Sequence, residues 1–166
     1  ATLYSTLLNN IGIETMWLDV FKPGEGHVFL MFDSGVKPDD VDRLFLDRTE
    51  VAIVDNKVWI PVEATLVGKP FFSAWKQGAL KYTQMKNDQF INEISMTKAM
   101  AKYLPGSITP EEVYIPDPTG VSDLLEEDIR QYIKWLDQVV AKGIEGKLET
   151  ADDYYDVAVL YMEFGR

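Results

Sequence analysis

GHVFLMFD, residues 26–33, is the stretch that decides the fold of this chain. It is apolar on both faces of an extended backbone, which is typical of a strand in the middle of a sheet. IETMWLDV, residues 13–20, precedes it across the turn-rich KPGEG, residues 22–26, so the two runs predict a pair of neighbouring strands. The only histidine of the chain, His27, opens the second strand. A lone histidine there is either a packed core residue or half of a catalytic pair.

A second hairpin is predicted further along the chain. EVAIVDNKVWIPVEA, residues 50–64, contains two runs of β-favouring residues on either side of Asp55-Asn56-Lys57. Pro61 lies inside the second run and has no backbone N–H to donate. The sequence therefore predicts a bulge or a sheet edge at this position.

Outside these strands, the apolar residues have the spacing of helices. PDDVDRLF, residues 38–45, predicts a short helical turn at best. Longer helices are predicted over residues 1–10, 70–86, 95–104, 122–143 and 150–166. The first of them ends before Gly12 but has no capping side chain at its start. In the fourth, Ser122 is the expected N-cap, Gly143 the expected stop, and one apolar stripe is formed by Leu125, Ile129, Ile133, Leu136 and Val140.

Residues 105–120 divide the chain because they concentrate proline and glycine. We expect a core over residues 1–104, a connection over residues 105–120, and a helical extension over residues 121–166. The fold class predicted is α+β, with a small antiparallel sheet packed on helices and the extension following it.

Composition excludes several classes of function. The chain has 166 residues and a net charge of −11 from 27 acidic and 16 basic residues, without a concentrated basic patch, so we predict neither nucleic-acid binding nor attraction to an anionic membrane. No apolar run is long enough to predict membrane insertion. Cysteine is absent and histidine occurs once, which excludes cysteine-based or histidine-rich metal sites and a thiol nucleophile within these residues. No cofactor is predicted, and the compartment stays open.

Three short motifs together resemble the transglutaminase-like superfamily, which has a papain-like fold. They are a first helix of the form A-x-L-x-x-x-L-L-x-x-x-G-I, the strand GHVFLMFD, and the later strand VWIPVEAT, residues 58–65. The last two are especially similar to bacterial members. The resemblance covers roughly residues 1–80 and depends on the order of the motifs, since each alone is weak.

The resemblance implies a cysteine chemistry. In the family, a cysteine at the start of the first helix attacks a carboxamide or ester, a histidine holds the thiolate, and an acid orients the imidazole. His27 matches the histidine, and Glu63 matches the acid, where many relatives have aspartate. The cysteine matches no residue here, and the family pattern places it about one helical turn before Ala1. The resemblance thus implies a piece of a larger amidase, peptidase or acyl transferase, inactive as given, whose substrate is a peptide or protein.

The last helix is similar to the first helix of a tetratricopeptide repeat. The similarity covers residues 151–166 and is carried by Tyr154, Val157, Ala158, Tyr161 and Gly165. A repeat of this kind buries its apolar face only against neighbouring repeats. The resemblance implies that an array in the parent protein binds protein partners.

Plainer interpretations stand beside these. Without the family context, His27 is a structural histidine and Glu63 an ordinary solvent-facing carboxylate. The stripe of Phe71, Phe72, Trp75 and Tyr82 indicates core packing, and the acidic residues 126–128 indicate a solvated helical face. The spacing of the four aspartates Asp39, Asp40, Asp42 and Asp47 does not match a calcium-binding EF-hand loop and lacks its central glycine. Three functions remain open: a thiol enzyme, a non-catalytic module that binds peptides in the old cleft, and a purely structural module attached to a repeat array.

Overall fold

The computed structural model describes residues 1–66, 68–102, 121–144 and 150–163. Its centre is a five-stranded antiparallel sheet with the order β3-β4-β2-β1-β5. The strands are β1 (Thr15–Lys22), β2 (Glu25–Asp33), β3 (Ala52–Val54), β4 (Lys57–Val62) and β5 (Ile91–Ser95). The α-helices are α1 (Thr2–Asn10), α2 (Val41–Leu44), α3 (Phe71–Asn87), α4 (Met96–Lys102), α5 (Val121–Ile144) and α6 (Ala151–Glu163). The α+β class is confirmed.

Both predicted hairpins form, and the first turn is tighter than the sequence indicated. β1 and β2 continue to the pair Lys22 and Glu25, so only Pro23 and Gly24 make the turn. Proline fixes the first turn position, and Gly24 takes φ of 80°, which a glycine adopts without strain. In the second hairpin Asp55 and Asn56 form the turn, both with positive φ, and Lys57 already belongs to β4.

Pro61 lies at a local edge of the sheet, as the missing N–H predicts. On one side β4 pairs with β2, where Pro61 is opposite Met31. On the other side β3 pairs with β4 only as far as Trp59. Pro61 is therefore in an inner strand but beyond the end of its neighbour, and no ladder bond from its nitrogen is needed.

Helix α3 covers this edge of the sheet. Trp75 and Ala79 are buried with Val58, Ile60 and Val62 of β4, and Tyr82 and Met85 join a second cluster that includes Phe29 and Met31. The predicted aromatic stripe is thus core packing. Gly78 makes the close approach possible, because a Cβ there would be 2.6 Å from backbone atoms of Pro61 and Val62.

β5 was not predicted. Its middle residues Asn92 and Glu93 are polar, so it lacks both a continuous apolar run and strict alternation. It forms because it completes the open edge of β1, with Leu18 opposite Glu93. Glu93 is held there by the Tyr82 hydroxyl at 2.7 Å and by Lys86 Nζ at 2.6 Å.

In α1 and α5 the buried residues differ from those that the sequence predicted. The apolar residues Leu3 and Leu7 of α1, and Ile11 just after its end, are exposed, and the buried residue of this helix is Ser5, whose hydroxyl contacts that of Thr15. In α5 the predicted stripe is only partly buried, since Leu136 and Val140 pack against Val157 of α6. Leu125, Ile129 and Ile133 of that stripe remain exposed.

The predicted start of α5 is wrong, and other predictions fall outside the described residues. Ser122 is not the N-cap of its helix, because α5 begins at Val121. The connection over residues 105–120, and Gly165 of the repeat-like pattern, lie outside the described residues. α6 begins directly after Thr150, as the threonine predicted. Across the described ranges, no helix combines the length and apolar character needed to span a membrane.

Candidate functional site

β2 places His27 on the same face of the sheet as Phe29 and Met31, because side chains two residues apart in a strand share a face. The imidazole stacks on the Phe29 ring with a centroid distance of 5.8 Å and an interplanar angle of 25°. The His27 side chain retains 21% of its surface exposed. The ring is therefore supported on one side by the core and remains accessible.

Glu63 directly follows the last residue of β4. Leu30 is opposite Val62, so continuing this register puts Glu63 opposite Phe29 and diagonal to His27 on the same face. The backbone N–H of Glu63 donates to the Ala74 carbonyl at 2.9 Å, which ties the end of β4 to the first turn of α3. The residue is 8% exposed, so it is not the solvent-facing carboxylate that a strand end usually carries.

The two side chains meet in a short hydrogen bond. His27 Nε2 is 2.7 Å from Glu63 Oε2. The other carboxylate oxygen, Oε1, accepts from the Thr65 backbone N–H at 3.0 Å and from the Thr65 hydroxyl at 2.8 Å. Both carboxylate oxygens thus have partners, and the orientation of the carboxylate is fixed. The predicted contact between His27 and Glu63 is confirmed, whereas their catalytic role stays a prediction.

The electrostatics favour an ionised Glu63. Burial alone would raise the pKa of this carboxyl, but the hydrogen bonds from Thr65 and His27 outweigh it, and the net pKa lies below its ordinary value. Nδ1 has no hydrogen-bond partner in the part of the chain that the structure describes. Nδ1 is therefore the ring nitrogen that remains open to another group.

Sequence reasoning found the two main residues and missed what orients them. Thr65 was present in the motif without a role, although a threonine two residues after a carboxylate is well placed to bond it locally. Gly78 was also an available signal. A glycine inside a helical pattern is less favourable than alanine, so its presence there can indicate that another segment packs closely against the helix.

The acidic stretch of α5 is not uniformly solvated, which corrects the sequence-based interpretation. Asp128 Oδ1 accepts from the Phe71 backbone N–H at 2.5 Å and so caps the first turn of α3, which has no side-chain cap from its own residues. Glu126 and Glu127 do lie on the surface, where both pair with Arg130.

The acidic residues around α2 are used by the fold. Asp40 pairs with Arg43, Asp42 with Arg48, and Asp47 accepts from the Thr49 N–H. Among the described residues, no group of three or more His, Cys, Asp or Glu side chains is placed to hold a metal ion.

Comparison with known proteins identifies no relative of this chain. No family model matches it, and neither a curated protein nor a solved structure matches it. The resemblance of GHVFLMFD and VWIPVEAT to a family therefore stays a prediction from the sequence.

Proposed function

We propose that these residues belong to a thiol enzyme of the transglutaminase-like superfamily with a papain-like arrangement, acting in amide or peptide hydrolysis or acyl transfer. His27 and Glu63 are its histidine and acid, and the nucleophilic cysteine is not among the residues of this chain. The observation that carries the proposal is the 2.7 Å bond between His27 Nε2 and Glu63 Oε2. This bond joins two of the three motifs on which the family resemblance is based.

The chemistry follows from the state of the pair. A thiol placed opposite His27 would transfer its proton to Nδ1, since Nε2 is engaged by Glu63. Glu63 holds the ring in place through Nε2, and the imidazolium formed by this transfer stabilises the thiolate. The thiolate then attacks the carbonyl carbon of a carboxamide, the imidazolium protonates the departing amine, and a thioester remains. Water completes hydrolysis of that thioester, whereas a second amine completes acyl transfer.

The geometry of the acid supports the same assignment. Glutamate is one methylene longer than the aspartate of many relatives, and a longer side chain needs additional restraint to hold one orientation. Thr65 supplies this restraint through two hydrogen bonds to Oε1, at 3.0 and 2.8 Å. The fixed carboxylate then offers its second oxygen to His27.

The test is to supply the missing thiol. One additional helical turn is joined before Ala1 with a cysteine at its start, and its alkylation by iodoacetamide is followed between pH 4 and pH 8. A helix N-terminus and an adjacent imidazolium both lower a thiol pKa, so we expect fast alkylation that persists at mildly acidic pH. His27→Ala should abolish this persistence, and Glu63→Gln should reduce it.

A matched control uses the other end of the same helix. Asn10 is exposed at the last position of α1, so Asn10→Cys in the extended chain lacking the first cysteine provides an ordinary thiol. Its alkylation should follow the free thiol and ignore His27→Ala. If the thiol at the helix start behaves like this control, the enzyme assignment is wrong and a non-catalytic module is favoured.

A further inference from the structure

A long groove lies between α3 and α5. It is enclosed by α3, α5 and the segment containing residues 46–50, and its volume is about 960 Å³. Its floor contains the rings of Phe72, Trp75 and Trp135, whose centroids are 5.4 to 6.1 Å apart. Neither His27 nor Glu63 lines it. Ligand binding here would therefore be independent of the proposed catalytic pair.

The length of the groove suits a chain better than a compact molecule. Lining residues extend from Phe72 to Thr83 on α3 and from Glu127 to Gln138 on α5. At 1.5 Å per residue each wall is about 16 Å long. An extended peptide of about five residues covers this distance. The volume is also at the upper end of the range for small-molecule sites, about 300–1,000 Å³.

The acidic residues of the lining are already engaged by the protein. Asp47 accepts from the Thr49 N–H at 2.7 Å. Glu50 Oε2 accepts from the backbone of Leu46 at 3.0 Å. Glu127 is bonded by Arg130 and by Gln131, at 3.2 and 2.8 Å. Glu127 is therefore balanced by Arg130, whereas Asp47 and Glu50 use their carboxylate oxygens to accept from the backbone.

The basic residues of the lining are not all engaged. Lys76 on α3 and Lys134 on α5 have no anionic partner within the described residues, although the chain as a whole carries a net charge of −11. Two unpaired ammonium groups on opposite walls of an aromatic groove are complementary to carboxylates flanking an apolar side chain. Because acidic residues are in excess over the chain as a whole, its net charge repels anions. The charge complementarity to carboxylates is therefore confined to this groove.

The lining also contains free amide and hydroxyl groups. Gln77 and Gln138 have no hydrogen-bond partner in the described part of the chain, nor has the Thr83 hydroxyl. A side-chain amide has both a donor and an acceptor and can bond the N–H and C=O of a peptide backbone. This feature favours a peptide over an acyl chain or a simple aromatic acid.

We propose that this groove binds an acidic peptide segment of a partner protein. An aromatic or aliphatic side chain of the peptide lies against Phe72 and Trp135, its carboxylates pair with Lys76 and Lys134, and the glutamine amides bond its backbone. The aromatic floor supplies the apolar contact area, and the lysines select the sign of the charge.

The test uses a defined probe, acetyl-Glu-Glu-Phe-Leu-Glu-Glu-amide, titrated into the intact chain by calorimetry at low and at physiological salt. We expect saturable binding with one site that weakens as salt increases. The double substitution Lys76→Gln with Lys134→Gln should weaken it about tenfold. Both side chains are exposed, so the fold is not at risk.

Lys37→Gln with Lys98→Gln is the matched control, because it makes the same change in net charge at two exposed lysines outside the groove. Its affinity should be within twofold of the unsubstituted chain, as should that of His27→Ala. The proposal is overturned by equal weakening in the control, by no weakening in Lys76→Gln with Lys134→Gln, or by no binding of the probe.

Three further ligands test the nature of the occupant. A probe with lysine in place of every glutamate should not bind, and one with glycine in place of phenylalanine and leucine should bind at least tenfold more weakly. Phenylacetate supplies an aromatic ring and one carboxylate without a peptide backbone. Binding of phenylacetate as tight as that of the peptide would overturn the peptide assignment.

Discussion

Replacing Gly78 with alanine tests how closely α3 lies against β4. A Cβ at this position would be 2.6 Å from the carbonyl carbon and oxygen of Pro61 and from the nitrogen of Val62. All three are backbone atoms of a strand that is paired with β2, so they cannot rotate out of the way. Ordinary contact begins near 3.4 Å, and helix and strand would have to separate by about 0.8 Å.

The expected loss is the difference between two opposing effects. Alanine is favoured over glycine inside a helix by about 1 kcal/mol. Overpacking costs about 1–3 kcal/mol and sometimes more, and three simultaneous contacts with backbone belong at the upper end. Separation of α3 from β4 would also lengthen the bond from Glu63 N to Ala74 O, now 2.9 Å. We expect Gly78→Ala to lower the free energy of unfolding by about 2 kcal/mol.

Urea unfolding measures this change, with Gly143→Ala as the control. Gly143 is also helical, but a Cβ there would meet nothing within 4 Å. That substitution should leave stability unchanged or raise it by up to about 1 kcal/mol, because only the helix preference acts. If Gly78→Ala is as stable as the unsubstituted chain while Gly143→Ala behaves as expected, the close approach of α3 is wrong.

Three further outcomes are expected. Because the pKa of Glu63 is below its ordinary value of 4.5, its ionised form stabilises the fold above that pH, and the contribution is lost as pH falls through the folded-state pKa. Glu63→Gln should lower the free energy of unfolding by about 1 kcal/mol at pH 7, and urea titrations should show the gap closing as pH falls below 4.5. A gap that persists unchanged in acid would contradict this. Trp75→Phe should lower the stability of the fold by about 1 kcal/mol more than Trp135→Phe. Trp75 Nε1 donates to the Glu50 carbonyl at 2.6 Å, whereas Trp135 Nε1 is buried without an acceptor among the described residues. Equal losses of stability in thermal unfolding would refute the distinction. The chain as given should turn over no model amide or ester in a thiol-dependent manner, since it contains no cysteine; turnover that His27→Ala abolishes would indicate general-base activation of water instead.

The sheet was predictable where its strands carry an apolar pattern of their own. β2 and the turn at Asp55 and Asn56 have strong local signals, and both appear as expected. β5 has no such signal, because Asn92 and Glu93 occupy its centre and its formation depends on the open edge of β1. Local pattern predicts an element only when the element's own residues supply the burial.

Helical spacing predicted the helices but not which of their faces is covered. Leu3 and Leu7 of α1, and Ile11 just after its end, have the spacing of a buried stripe, and all three are more than half exposed. The face of α1 that contacts the sheet is instead fixed by polar groups, since Asn9 Nδ2 donates to Thr15 Oγ1 at 2.6 Å. Periodicity reports the conformation of a segment, whereas the covering surface is a property of the whole fold.

The candidate site depends on backbone contacts that no side-chain motif encodes. Because Pro61 lacks an N–H and lies beyond the end of β3, that side of β4 is open to α3. Gly78 lets α3 come close enough for Ala74 to accept from the Glu63 N–H at 2.9 Å. This bond fixes the backbone at the strand end, and from there the Glu63 side chain reaches His27. The order of the motifs therefore predicted which residues meet, while the proline and the glycine position the strand end from which Glu63 reaches His27.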